Sequence, residues 1–588
     1  MQKVNIGFGI TTAEKFFIER SIELLFKETI DSYRMRHHNS YTLLEELADV
    51  VDKLRKHQLK NAYYARCVAE EAVACLKNDT VINWGSLSNN YFQYTLLLAK
   101  NSKNLSNDKV YLACKTLLRY NKNYLSSVFA AIRTEIERLN GMGALTDPFE
   151  LKTLNYHIGS FWTGVRSLGY SKEYLHNFVR ALALKSTFTF GDFFTVIASL
   201  LSREKEKFTV ILGIKLHIKE SGFSSKNFKI LSASEKSKLS ESEFKAVRQY
   251  FVKEFGTLLK TEVEALDYYS AAKLVKDKLF PELDILHLGQ SSLRNYAYPS
   301  WLVMGATSPE KAKPQKFEYQ IDGYYESSLK AYEIISEKIK KIHEKDIHEN
   351  ARNKITAGLR YFRLGSESTE LQTKLLEYWI GMEYIFSAYE SDEGTLPRLK
   401  RFYKKMHALL LFKRRVYDFH LSIKHLGQVE NIPTFELEDI EYLMDGSVYN
   451  NCIAQIEAYP LFAFRAKELQ TLFDDPKKLR LMIDRSMDGL EWHLTRLYRL
   501  RNEIVHNAAI KSDIEGLVSH LKFYLLFTLC SLIDFFAEKA EDYNYDGKVT
   551  LDDYFEIREM RFDNLLNDKD KVDVEKLKKF MNPLEFLS

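Results

Sequence analysis

Along most of the chain, apolar residues recur three and four positions apart. In 41–54, Leu43, Leu47, Val50, Val51 and Leu54 keep helical spacing, and residues 1–205 continue helix after helix with no fixed-period repeat. The texture changes near 207. The β-branched, apolar run KFTVILGIKLHI (207–218) predicts a strand, EFKAVRQYFVKEF a helix and TLLKTEVEA a strand. SAAKLVKDKLF then predicts a helix, and ELDILHLG and SWLVMG predict strands. Residues 206–306 therefore read as a small α/β module, with no Gly-rich phosphate loop and no catalytic cluster. TSPEKAKPQK (307–316) carries Pro and Lys but no large apolar residue, which predicts a linker. Helical spacing resumes after it. Thr369 with Gln372, and Ser512 with Glu515, form capping-box pairs that mark two helix starts. The expected fold class is mainly α and multi-domain. It comprises a helical N-terminal domain (1–205), the α/β module, a helical region (317–541) and a C-terminal helical tail (542–588).

Length supports the division, since 588 residues exceed what one core holds. With 24 Gly and 10 Pro, the chain favours long uninterrupted helices over a many-turned all-β fold. A formal charge of +4 neither demands nor excludes a nucleic-acid partner, so the distribution of charge must decide. The 5 cysteines have no metal-ligand spacing, and an odd number without a signal peptide points to a reducing cytosol. The N-terminus shows no basic segment followed by an apolar one. The longest apolar stretch, FYLLFTLCSLIDFFA (523–537), falls short of the ~20 residues that span a bilayer and carries Asp534. It reads as a core helix, and the expectation is a cytoplasmic protein without a membrane partner.

One short stretch carries candidate chemistry. YRLRNEIVHNA (498–508) lies on a helix expected from about 486 to 506, whose apolar face is Leu490, Leu494, Leu497, Leu500 and Ile504. At about 100° per residue, Arg501 falls about 20° from Leu490, inside that stripe. A buried guanidinium without a partner is costly, so Arg501 calls for a carboxylate or a phosphate. Asn502 and His506, four apart, share the other flank. In LQTKLLEYWIGMEYIF (371–386), Glu383 interrupts an apolar arc through Leu375, Trp379, Met382 and Phe386 in the same manner. The two helical wheels predict that Glu383 meets Arg501. The loose pattern of Arg followed by His recurs at Arg401 with His407 and at Arg415 with His420, so spacing alone does not distinguish the site. A plainer reading remains beside it: a His favoured by the helix macrodipole, an Asn stop, and an Arg499–Glu503 surface pair.

RLYRLRNEIVH resembles the RNxxxH signature of the HEPN superfamily, and LLEYWIGMEYIF resembles the first core helix of its Apea-like branch. The resemblance covers about 345–540. It implies a four-helix up-and-down domain that dimerises, with Arg and His of both subunits forming a composite pocket. It also implies metal-independent ribonuclease activity of the kind found in bacterial toxin–antitoxin and anti-phage systems. Arg501 would bind the scissile phosphate, and His506 would act as general acid or base at the ribose 2′-OH. Asn502 would orient His506 or the phosphate, and Glu383 would support Arg501. Members often place Gly after the His, where this chain has Asn507, a residue that tolerates a helix end. Tyr498, near the motif, is a candidate for silencing by nucleotidyl transfer.

Two further features bear on partners. RLKRFYKKMHALLLFKRR (398–415) holds Arg398, Lys400, Arg401, Lys404, Lys405, Lys413, Arg414 and Arg415, no acid, and Phe402, Tyr403 and His407. Such a tract can neutralise phosphates and stack bases, or it can be a solvated helix face over a core formed by Leu409–Phe412. Arg496 and Arg499 would extend it. DYNYDGKVTLDD (542–553) follows an EF-hand loop, with Asp542, Asn544, Asp546, Thr550 and Asp553 as candidate ligands around Gly547. Position twelve is Asp rather than the bidentate Glu, so a structural Ca²⁺ competes with a plain polar turn. The expected function is a HEPN endoribonuclease of bacterial abortive-infection defence that needs no cofactor for catalysis. It would act on RNA as a homodimer or higher homo-oligomer, with a phage-derived trigger or an antitoxin as regulator. The N-terminal two-thirds would sense that trigger or hold the nuclease inactive. The alternative is a non-catalytic helical adaptor with a degenerate HEPN domain, binding RNA or protein through the basic tract.

Overall fold

The computed structural model describes residues 5–26, 38–85, 107–216, 223–251, 256–289, 296–305, 313–316, 329–389, 392–426, 441–507, 514–545, 547–566, 572 and 577. The chain is mainly helical, with one small sheet in its middle region. It divides into two compact units that cut across the linear order. One contains residues 1–24, 28–163 and 321–588, and the other residues 25–27 and 164–320. The N-terminal helices therefore share a unit with the motif, and the helices Lys172–Ala183 and Phe190–Ser199 go with the sheet.

In the sheet-bearing unit, β1 (Glu206–Lys215), β2 (Lys229–Ile230), β3 (Thr257–Ala265), β4 (Tyr296–Gly305) and β5 (Lys313–Lys316) line up in the order β2-β3-β1-β4-β5. Every pairing is antiparallel. The apolar run in β1 is continuous because both of its faces are covered. Phe208, Val210, Leu212 and Ile214 pack with Tyr268, Ala271, Val275 and Leu279 of one helix, while Ile211 on the opposite face packs with Val247, Tyr250 and Phe251 of another. Two expectations change here. ELDILHLG is not a strand but the end of the helix Tyr268–Gly289, which carries Pro281 inside it. Leu279, Leu283 and Leu286 keep helical spacing towards the sheet, while Ile285 and Leu288 are exposed, so the run alternates only in appearance. TSPEKAKPQK is not wholly a linker either. Its last residues form β5, with Pro314 opposite Leu302, an edge position where the missing N–H is tolerated.

The larger unit contains the motif. Its helices used below are α1 (Thr12–Leu25), α2 (Ser40–Arg55), α3 (Tyr63–Leu76), α4 (Glu349–Glu367), α5 (Leu371–Phe386), α6 (Lys404–Leu426), α7 (Pro460–Asp474), α8 (Pro476–Asn507), α9 (Glu515–Glu538) and α10 (Leu551–Leu565). Helices α4, α5 and α9 pack on one another, and α5 also meets α8. Close approach depends on glycine. A Cβ on Gly381 would sit 2.9 Å from Leu525 Cδ2 of α9 and 3.2 Å from Tyr361 Cβ of α4. A Cβ on Gly358 would sit 2.8 Å from Leu529 and 2.9 Å from Ile385. Gly381→Val should therefore destabilise the unit by about 1–3 kcal/mol through overpacking, read as a lower midpoint of thermal unfolding. An unchanged midpoint would show that the seam has room to relax.

The apolar 523–537 run lies within α9, the one described helix long and apolar enough to cross a membrane. Of its most apolar window, 67% is buried inside the protein. Its Asp534 is paired to Lys338. The helix starts are less regular than their sequence signals. α5 begins at Leu371 after Glu370, whose side chain makes no cap hydrogen bond, so the Thr369–Gln372 box does not form. Ser512 lies outside the described residues, and α9 starts at Glu515.

Candidate functional site around Arg501

Helix α8 starts ten residues earlier than the periodicity suggests. Pro476 opens it, and the Asp475 carboxylate accepts the backbone N–H groups of Lys477 at 3.0 Å and Lys478 at 3.3 Å. Its expected apolar face holds: Leu490, Leu494, Leu497, Leu500 and Ile504 are all buried. On α5, Leu375, Trp379, Met382 and Phe386 are buried as well, and the Trp379 and Tyr498 rings pack with centroids 5.7 Å apart. That contact holds the two helices side by side below the polar pair.

Arg501 and Glu383 meet. Arg501 Nη2 lies 3.5 Å from Glu383 Oε2, with the side chains 25% and 29% exposed. The pair thus sits at the rim of the core and not inside it, where solvent limits its contribution to about 1 kcal/mol at most. Arg501 Nη1 donates to Asn502 Oδ1 at 3.0 Å, and Asn502 Nδ2 donates to the hydroxyl of Tyr64 on α3 at 3.4 Å. Arg501 Nε is sealed from solvent and has no hydrogen-bond partner among the described residues. The guanidinium is therefore oriented from two sides and still has donor capacity. His506 is exposed in the last turn of α8 and bonds no described residue. Asn502 holds Arg501, not His506. Asn507 is helical, but its side chain lies outside what is described.

The two sequence look-alikes differ physically. The Arg401 guanidinium is engaged by Glu556 and Glu559. His407 is buried among Tyr403, Phe523, Tyr524 and Phe527, with ring centroids 5.4–5.8 Å away. His420 is buried too, with Nδ1 2.9 Å from the Tyr442 hydroxyl. Burial, together with the positive charge of Arg414, pushes the His407 pKa down to about 3. The unfolded chain then binds a proton that the folded one refuses. His407 stabilises the fold fully above its ordinary value near 6.5, and that stability is lost as pH falls from there towards 3. The slope is at most about 1.4 kcal/mol per pH unit. His407→Leu should flatten the acid side of the unfolding-midpoint profile relative to wild type. Parallel profiles would assign the acid sensitivity to other groups.

The basic tract is a correction. Five of its eight cations, Arg398, Arg401, Lys404, Lys405 and Arg415, face carboxylates of neighbouring helices instead of forming an open phosphate track. Arg398 is buried, accepted by the Phe386 carbonyl and Asp552. Lys405 reaches Glu559 at 2.6 Å and Asp563 at 2.9 Å on α10, and Lys404 reaches Glu491 at 2.7 Å on α8. Arg415 pairs with Glu468 at 3.4 Å on α7. Lys400 lies over the Tyr63 ring at 4.1 Å and Arg414 over Phe523 at 4.9 Å, while Lys413 is buried. Phe402 and Tyr403 are also buried and offer no stacking face. Sequence reading missed this because the compensating acids lie far along the chain. Arg496 and Arg499 follow the same logic. Arg496 lies 2.8 Å from Glu46 of α2 and 2.6 Å from Glu71 of α3, and Arg499 pairs with Glu46. Burial alone would raise the Glu46 pKa, but the Arg496 and Arg499 guanidiniums overcome it and hold the carboxyl well below its usual range. Glu503 reaches Lys53 of α2 at 3.3 Å.

In the 542–553 loop, Thr550 and Asp553 form the capping box of α10, with Asp553 Oδ2 accepting from Thr550 Oγ1 at 2.7 Å and from its N–H at 2.8 Å. Asn544 Oδ1 accepts the Val549 N–H at 3.1 Å. Asp542 lies in a single 3₁₀ turn, and Asp546 lies outside the described residues. The carboxylate at the expected twelfth ligand position thus accepts from Thr550 at its own helix start. Among the described residues, no group of three or more His, Cys, Asp or Glu side chains is arranged to hold a metal ion. No family model matches the chain, and neither a curated protein nor a solved structure does.

Proposed function

We propose that this protein is a HEPN-type endoribonuclease that cuts RNA by attack of a ribose 2′-OH on the adjacent phosphate. The observation that carries the reading is Arg501. Its guanidinium is braced by Glu383 and Asn502 and partly open to solvent, on the same helix as an exposed His506 five residues on. In the reaction, Arg501 would pair with the phosphate and stabilise charge developing on its oxygens. The 2′-oxygen bonds to phosphorus as the P–O5′ bond breaks, leaving a 2′,3′-cyclic phosphate and a 5′-hydroxyl. His506 would take the 2′ proton or supply one to the departing oxygen. Five residues along a helix turn about 140°, so Arg501 and His506 of one chain point apart. A homodimer, in which each chain completes the other's pocket, resolves this.

The non-catalytic adaptor finds less support, because the cations it relies on are engaged within the chain. Activity as a cytosolic defence effector, under a phage-derived trigger or an antitoxin, is the biological setting we infer. The test is incubation of the purified full chain with total RNA, wild type beside His506→Ala, with mapping of the new ends. Cyclic-phosphate ends made by wild type and not by the variant support the reading. Intact RNA, or equal cleavage by both, overturns it.

A further inference from the structure

Four side chains form one line of contacts from an N-terminal helix into the bundle. Tyr64 of α3 touches Asn502, Asn502 touches Arg501, and Arg501 touches Glu383 of α5. The order of donors and acceptors along it is forced. Arg501 has only N–H groups to offer, so the Asn502 carbonyl oxygen must face it and the Asn502 NH₂ must face away. On that side the Tyr64 hydroxyl accepts. Tyr64 is itself 8% exposed, and burial raises its pKa, so it remains a neutral hydroxyl at neutral pH. The next motif residue, Glu503, is held by another N-terminal helix, through Lys53 of α2.

We infer that Tyr64 is a positioning residue of the Arg501 site: its hydroxyl fixes the Asn502 amide so that the amide oxygen holds the guanidinium in place. The inference rests on the ribonuclease reading for its functional consequence. It gives the N-terminal helices a direct part in the site. Without the hydroxyl, the Asn502 NH₂ loses its anchor and the amide can rotate. Arg501 then keeps Glu383 but samples more orientations, which weakens an interaction needed most when charge develops.

Tyr64→Phe keeps the ring and its packing and removes only the oxygen. On total RNA, the variant should lower kcat about three- to tenfold, the scale of one net hydrogen bond, with KM within about twofold. In an Asn502→Ala background the same change should cost nothing further, because the amide it orients is gone. A role confined to packing would instead multiply the two losses, and that result, or a Tyr64→Phe rate equal to wild type, overturns the inference. If wild type leaves RNA intact, the ribonuclease reading falls on its own. The brace is then read from thermal-unfolding midpoints of the same four proteins. Non-additive shifts support an oriented Tyr64–Asn502 contact, and additive shifts overturn it.

Discussion

His506→Ala is expected to slow RNA cleavage by about 10²–10⁴-fold, the range for removing a general acid or base. Arg501→Ala should slow it by about 10²–10³-fold through loss of charge stabilisation at the phosphate. Neither change should move the midpoint of thermal unfolding appreciably. His506 is exposed and bonds no described residue, and the Arg501–Glu383 pair is solvent-screened at the rim of the core. That separation makes the experiment decisive, since activity lost at unchanged stability cannot be ascribed to unfolding. Glu383→Gln keeps the shape and removes the charge, and should give an intermediate loss, because Asn502 still holds the guanidinium from the other side. Initial rates on total RNA, with and without EDTA, check these values. Wild-type rates in Arg501→Ala would remove the phosphate-binding role. Rates that collapse in EDTA would remove the metal-independent route.

How much of this site was legible in the sequence depended on distance along the chain. Helical periodicity put Arg501 and Glu383 inside two apolar faces, and the pair forms, although at the rim of the core and not within it. Periodicity within one helix cannot say which distant acid meets which base. Thus Glu46 and Glu71, which take Arg496, left no local mark, and neither did Glu559 and Asp563, which take Lys405. A tract of eight cations without an acid looks exposed when read alone, although each charge can be met by a helix arriving from elsewhere. Tyr64 was invisible for the same reason, since a tyrosine in an N-terminal helix is ordinary until Asn502 lies against it. The middle strands TLLKTEVEA and SWLVMG were readable because the first alternates Thr261, Val263 and Ala265 with acids and the second is a short apolar run ending in Gly305. ELDILHLG misled because a helix with one face on a sheet, and Leu288 open to solvent, can imitate alternation over eight residues. The motif helix and the N-terminal helices turn out to share one compact unit, which linear reading had separated.

That shared unit leads to the largest expected effect on stability. Arg496→Met should destabilise the larger unit by about 3–5 kcal/mol, because it leaves the carboxylates of Glu46 and Glu71 without their common partner. Arg496 has 6% of its side chain exposed and Glu46 11%, so water cannot replace the lost charge. Burial by itself would lower the Arg496 pKa, and the two carboxylates outweigh it and raise it. The cost should fall when the acids are removed as well. The triple change of Arg496→Met, Glu46→Leu and Glu71→Gln should recover much of the loss, since an apolar replacement of a whole buried ion cluster is often near neutral. Arg499 would then lose its Glu46 partner, while Lys53 keeps Glu503. The pH dependence has a definite sign. Glu46 holds a depressed pKa in the fold, so its contribution is complete above the ordinary carboxylate range near 4.5 and is lost as pH falls below it. Wild type should therefore approach the Arg496→Met midpoint in acid and separate from it at neutral pH. Thermal unfolding at pH 7 and pH 4 distinguishes the outcomes. An equal gap at both values would mean that packing of the long Arg496 stem, not its charge, ties α2 and α3 to the motif helix.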